Sequence, residues 1–254
     1  MQNTSIEILE QSSEGGKYWR FTPVVCRAAG RSAADLLALN LITDAAAGKF
    51  TLDDKYCRKL LAGLGVDSRQ ARDTIARLRR KGLISLGSRI DRFNPRYKHT
   101  TLIPSAKLLT AHKEAIKRRR FVRTFLTDLA GLLDRLTIRK AGCLRDYFAV
   151  STIRKQQRGR KPSVEQINAV SGDREYIRRV RLLRAAGIVS NDRQLDLLID
   201  LDGAVAAMHR QHYGRQVIEY RRPPPHEPDI PPDREKLDRL AGVKRGLKEA
   251  FAMP

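Results

Sequence analysis

The sequence predicts a mainly α protein in which one three-helix unit, closed by a small β-hairpin, occurs twice in tandem. Three observations carry this reading. Leu and Ala recur at helical spacing through a chain of 254 residues with 41% hydrophobic content. Glycine stops follow three successive helical runs between Ser32 and Gly82. The pattern then starts again at Gly142, at a constant offset of 105 residues from Gly82 to Gly187: Ile75, Leu78, Arg79, Leu83, Ile84 and Ser85 match Val180, Leu183, Arg184, Ile188, Val189 and Ser190.

Ser32 opens the first helix, whose Leu36, Leu37, Leu39 or Asn40, Leu41 and Ala45 follow a helical period until Gly48 stops it. After a brief extended stretch at Phe50, Thr51 or Asp53 caps a second helix through Tyr56, Leu60 and Leu61 that ends at Gly63 or Gly65. Asp67 or Ser68 caps the third, where Ala71, Ile75, Leu78 and then Leu83 form the buried stripe. Its other faces hold Arg69, Gln70, Arg72, Asp73, Arg77, Arg79 and Arg80. Gly82 ends it, and two short strands near 83–86 and 100–103 flank a loop with Arg89, Arg92, Arg96 and Lys98 and turn chemistry at Asn94 and Pro95.

Residues 105–140 read as one long helix or two, with KRRR at Lys117 to Arg120 as a solvated face or a phosphate-contacting patch. In the second copy, residues 143–153 form a helix, Ser163 and Asp173 cap the next two, and Ile177, Val180 and Leu183 are the expected buried positions. A tighter, less basic hairpin follows Ser190. RRPPPHEPDIPPD is a stiff linker, and the helix after it sets Leu237, Leu240, Val243, Leu247 and Phe251 near one face, either packed back on the body or free for a homodimer or a replication or transcription protein. The resulting organisation is an N-terminal arm over 1–31, disordered at its end, a first module over 32–104, a helical basic connector over 105–141, a second module over 142–220, and the linker with its helix over 221–254.

Charge narrows the function. Fifty Lys+Arg against 28 Asp+Glu give a formal net charge of +22, so a polyanion is the expected partner. Aromatic residues are only 6% of the chain, too few for base-stacking single-strand readers or membrane-surface helices, which leaves duplex DNA. No run approaches the roughly 20 apolar residues of a membrane span, and Cys26, Cys57 and Cys143 fit neither a disulfide framework nor a zinc site, so a reducing cytoplasm is the expected setting and no metal or cofactor is called for.

The third helix has the makings of a groove reader. Ser68, Arg69, Gln70 and Asp73 occupy its first turns, where Arg can fork onto guanine, Gln onto adenine, and Asp can accept from cytosine. Arg72, Arg77, Arg80 and Lys81, with Arg89, Arg92, Arg96 and Lys98 of the hairpin, are the expected phosphate contacts. A second DNA-contacting set would be Arg174, Arg178, Arg179 and Arg181, with Arg184 nearby.

Leu64, Gly65, Val66, Ser68, Arg69, Arg77, Leu78, Gly82, Leu83 and Ile84 resemble the winged helix-turn-helix superfamily in its bacterial form, over about residues 32–104, and more loosely over 143–201. The chain departs from that form at Asp67, inserted before Ser68. The resemblance implies two tandem winged helix-turn-helix modules with small β-hairpin wings, the first placing residues 68–80 in a major groove. Tandem modules with a basic connector look like plasmid replication initiators that bind repeats at an origin; a transcriptional regulator and a protein-docking winged module are the alternatives.

Enzyme readings find little support. There is no GxxxxGK[ST] loop. His209, His212, Tyr213 and Arg215 suggest phosphoryl chemistry only with partners the chain does not supply, and Asp53 with Asp54 and Asp200 with Asp202 read as caps.

Overall fold

The computed structural model describes residues 18–48, 50–90, 98–136, 139–157, 161–172, 174–190 and 196–220, with side chains up to residue 210. The chain divides into two compact units, Met1–His209 and Arg210–Pro254; the described part of the second is helical from residue 210 to Tyr220. The expected linker and C-terminal helix, and with them Leu237 to Phe251, lie outside the described residues, as do Arg92, Arg96 and Asp173.

The fold is mainly helical, with a few short strands. In chain order it runs β1 (Trp19–Phe21), α1 (Pro23–Ala29), α2 (Ala33–Ala47), β2 (Leu52–Asp53), α3 (Asp54–Gly63), α4 (Ser68–Arg80), β3 (Ile84–Ile90), β4 (Lys98–Pro104), α5 (Ala106–Lys117), β5 (Val122–Thr124), α6 (Leu126–Arg135), α7 (Lys140–Gln156), α8 (Val164–Ser171), α9 (Tyr176–Ala185) and α10 (Leu201–Tyr220). One sheet has the antiparallel order β2-β4-β3, in register from Ile84↔Pro104 to Ile90↔Lys98; the other pairs β1 with β5.

Local capping chemistry sets four of the helix starts. Ser32 accepts from the Asp35 amide at 3.3 Å, and Asp53 from Tyr56 at 3.1 Å. Asp67 accepts from Gln70 at 2.8 Å, and Ser163 forms a reciprocal capping box with Gln166. Gly82 and Gly187 both take φ +65°, a left-handed turn that costs glycine little. At each, the next amide donates back into the helix, Leu83 to the Leu78 carbonyl at 3.0 Å and Ile188 to Leu183 at 2.9 Å. The same glycine turn with its backward amide bond thus follows both α4 and α9. The hairpin does not: among the described residues its counterpart is a single bridge, Val189↔Leu197.

Two central helices organise the core. α2 and α7 are buried nearly all round and not on one face as amphipathic spacing suggests. One cluster of buried residues runs through both halves of the chain. The link between them is the segment expected to be an arm. Residues 18–31 are built into the core, with Phe21 and Val25 fully buried and Phe21 stacked on Phe148 at 5.1 Å between ring centroids. β1 is held by β5, a three-residue strand hidden in the expected basic connector. A buried polar relay fixes it further: Thr22 Oγ1 lies 2.8 Å from His112 Nδ1, and His112 Nε2 lies 3.2 Å from Asp44, which also accepts from Arg20 Nε at 2.7 Å. Thr22 and His112 are closed to solvent, so this relay is a structural one.

Asp202 does similar work at the start of α10. It accepts from the Arg123 backbone amide at 2.9 Å, from the Arg123 guanidinium at 3.0 Å and from Lys155 at 3.1 Å. Burial alone would raise this carboxyl, but the bonds from Arg123 and Lys155 outweigh it and hold its pKa below the ordinary 3.8. A lowered folded pKa contributes stability that is complete above pH 3.8 and is lost as pH falls through the folded value. Asp202→Asn should therefore cost about 1–3 kcal/mol at neutral pH. In urea unfolding across pH, its difference from wild type should vanish at the acid end; a constant difference would refute the linkage.

Cys26, Cys57 and Cys143 are separate buried thiols. Burial raises all three, Cys26 to about 12 and Cys143 to about 11. No helix among the described residues is long and apolar enough to cross a membrane, and none of them form a cluster of three or more His, Cys, Asp or Glu able to hold a metal.

Candidate nucleic-acid interface

The surface built around α4 begins with its anchoring. Ala71, Thr74, Ile75 and Leu78 are buried against the body, and the stripe gains Thr74 over the expected set. The helix starts at Ser68 because the inserted Asp67 is its cap, which settles the register of everything after it. Opposite the buried stripe, Arg69, Asp73, Ala76 and Arg80 follow one another at spacings of four, three and four, so they share one outward ridge, and all are exposed.

The four residues expected to read bases, Ser68, Arg69, Gln70 and Asp73, are exposed together at the start of α4. Arg69, Gln70 and Asp73 line an open depression of about 450 Å³ with Asp67, Arg77 and Ser32 of the α2 cap. Among the expected phosphate contacts, Arg72 and Arg80 are exposed, Arg72 with its Nε 3.3 Å from the Ser68 carbonyl. Arg89 and Lys98 are exposed on the hairpin strands, which run longer than expected toward a tip outside the described residues.

Arg77 and Lys81 are engaged within the protein. Asp35, in the first turn of α2, is 1% exposed, and both cations converge on it: Arg77 Nη2 at 2.6 Å and Lys81 Nζ at 3.2 Å. Arg77 Nε adds two further bonds at 3.0 Å, and hydrogen bonding to Asp35 raises the Arg77 pKa further. Lys81 also donates to the Ala29 carbonyl at 3.4 Å. These side chains bolt α4 to α2 while staying 36% and 43% exposed, so the Asp35 carboxylate competes with any phosphate for both cations. Neutralising the carboxylate should release them. Asp35→Asn is expected to cost about 1–3 kcal/mol in stability. It should also steepen the salt dependence of duplex binding by up to about 2 in log–log slope, as two cations become available. Salt titration of binding next to a urea melt checks both, and an unchanged melt would show that the triad is not a structural bolt.

The second expected set separates in the same way. Arg174, Arg178 and Arg181 are exposed, but Arg179 is 2% exposed. It forks onto Asp146 of α7, Nε at 2.6 Å and Nη2 at 3.1 Å, so it is a core residue engaged with that carboxylate. Ile177, expected inside, is 63% exposed, while Tyr176 is buried in its place and Val180 is partly buried. The reason is the helix start: α9 begins at Tyr176 behind Glu175, and the inward positions become Tyr176, Arg179 and Leu183. Two Asp–Arg forks, each onto a buried aspartate, therefore tie α4 to α2 and α9 to α7: Asp35–Arg77 and Asp146–Arg179.

Sequence reasoning passed over Ala76, whose small side chain leaves the middle of the outward ridge low enough for close approach, and Arg31, just before the Ser32 cap. The signal for Arg31 was local, a basic residue directly ahead of a cap. The residues once weighed for enzyme chemistry have ordinary roles: Asp53 caps α3, Asp54 pairs with Arg58 at 2.7 Å, Asp200 accepts from the Gly203 amide at 3.0 Å, and His209 meets the Tyr18 ring edge-on. His212, Tyr213 and Arg215 lie in α10, where side chains are not described.

No family model, curated protein or solved structure matches this chain.

Proposed function

We propose that the protein binds a specific site on double-stranded DNA through α4, and that it does so as an initiator of replication at repeated origin sequences. The observation that carries this is the outward ridge of α4: guanidinium groups at Arg69 and Arg80, a carboxylate at Asp73 and a gap at Ala76, on a helix locked from behind by Ile75, Leu78 and the Asp35 fork. A rigid helix with donors and an acceptor near its start can read base edges, and the arginines around it hold the backbone.

On this reading residues 32–104 are a winged helix-turn-helix. The order α2, β2, α3, α4, β3, β4, with β4 central in the sheet, supports it, and the exposed Arg89 and Lys98 place charge on the wing. Residues 142–201 are a reduced second copy, supported by the repeated Gly82 and Gly187 turns and by the single-bridge hairpin. The formal charge of +22 favours rapid, salt-sensitive association with a polyanion.

The test is footprinting of the purified chain on DNA from its own replicon at low and moderate salt. Protection of an array of short repeats at moderate salt is the expected result. One protected palindrome over a promoter would make the protein a transcriptional regulator, and diffuse protection that disappears with salt would overturn specific reading.

A further inference from the structure

A second concavity, of about 1240 Å³, opens between the start of α2, the start of α7 and the α8–α9 pair. Arg31, Lys140 and Arg174 line it, all exposed and none paired with a carboxylate among the described residues. Arg139 and Arg179 also reach the wall but share Glu175, at 3.8 and 3.3 Å. The other acid on the wall is Glu165. α7, 17 residues long, begins here with Lys140 and has no acidic residue in its first turn, so its positive end adds to the cations. Cations at that end are unfavourable alone and favourable around an anion.

The groove and the α4 depression are lined by consecutive residues. Arg31 lines the groove, and Ser32, its neighbour in the chain, lines the depression that holds Arg69, Gln70 and Asp73. The two residues are held in place from the α4 side, since Lys81 grips the Ala29 carbonyl and Asp35. Gly30, directly before them, takes φ +88° with Lys81 Nζ 3.5 Å from where a Cβ would stand. A backbone strand leaving the α4 face past Arg31 would enter a cation-lined groove.

Resting on the reading of α4 as a duplex reader, we infer that this groove is a phosphate channel for the DNA that flanks the recognised site. The second half of the chain grips through the starts of α7 and α9, with Lys140 and Arg174, and not through the outer face of α9.

The experiment compares wild type with Arg31→Gln/Lys140→Gln/Arg174→Gln in two readouts: sequence selection from a random duplex pool, and the salt dependence of binding to a 40-base-pair duplex of about that length carrying the selected site, or random sequence if none emerges. The triple variant should select the same site, keep its melting temperature, and lose about 2–3 units of log–log salt slope, since each phosphate contact contributes about 0.9. Arg174→Gln alone, at an exposed bend, should lose about one unit. A wild-type slope in both variants overturns the channel and leaves the α4 reading standing. A reduced slope in a protein that selects no sequence overturns the α4 reading while the channel stands as a sequence-blind grip. A wild-type chain that binds no duplex at any salt overturns both.

Discussion

Replacing Arg179 by alanine is expected to cost about 3–5 kcal/mol of unfolding free energy, the range for stranding a buried charge. Asp146 is fully buried, and the Arg179 fork reaches both its oxygens, at 2.6 and 3.1 Å. Without the guanidinium the carboxylate keeps its desolvation cost and loses its main compensation. The geometry is built for this contact: a Cβ at Gly142 would stand 2.6 Å from Arg179 Cδ, so the side chain lies flat across α7 only because that position is glycine. Asp146→Leu/Arg179→Leu should be much milder than Arg179→Ala, because removing both charges leaves no orphan. Urea unfolding of the singles and the double gives the coupling; an Arg179→Ala loss under about 1 kcal/mol would show that Asp146 is not dependent on it.

The second large effect is on recognition. If α4 reads bases, Arg69→Ala should relax discrimination at one or two positions of the selected site by about 1–3 kcal/mol, roughly 5- to 150-fold, with melting unchanged because Arg69 is exposed. Arg72→Ala should instead weaken all sequences alike and lower the salt slope by about one, the mark of a phosphate contact. Competition binding against single-base variants separates the two. Equal weakening of all sequences by Arg69→Ala would move that residue to the backbone and leave Gln70 and Asp73 as the readers.

The two forks show where sequence reasoning stops. Arg77 and Arg179 looked like any other arginine on a basic helix, because nothing within a few residues distinguishes a cation facing solvent from one facing a buried aspartate. Their partners stand 42 and 33 positions away, at Asp35 and Asp146. The register of α9 had the same limit: with its start displaced to Tyr176, Ile177 turned outward and Arg179 inward. β1 and β5 are three residues each, too short for a periodicity, and each exists through the other across about a hundred residues.

What the sequence determined by itself is everything whose physics is local. Caps at Ser32, Asp53, Asp67 and Ser163 are bonds across three residues, and the turns at Gly82 and Gly187 need only one residue that tolerates positive φ. The helices between Ser32 and Gly82, their order and the exposed start of α4 follow from these and from apolar spacing. The tertiary structure alone decided which charges face inward, that the segment from Trp19 to Ala29 packs into the core, and that Arg31 lines the basic groove. Those outcomes depend on groups distant in sequence meeting in a medium that water does not screen, where an aspartate must be paired and a cation beside it is no longer available to a ligand.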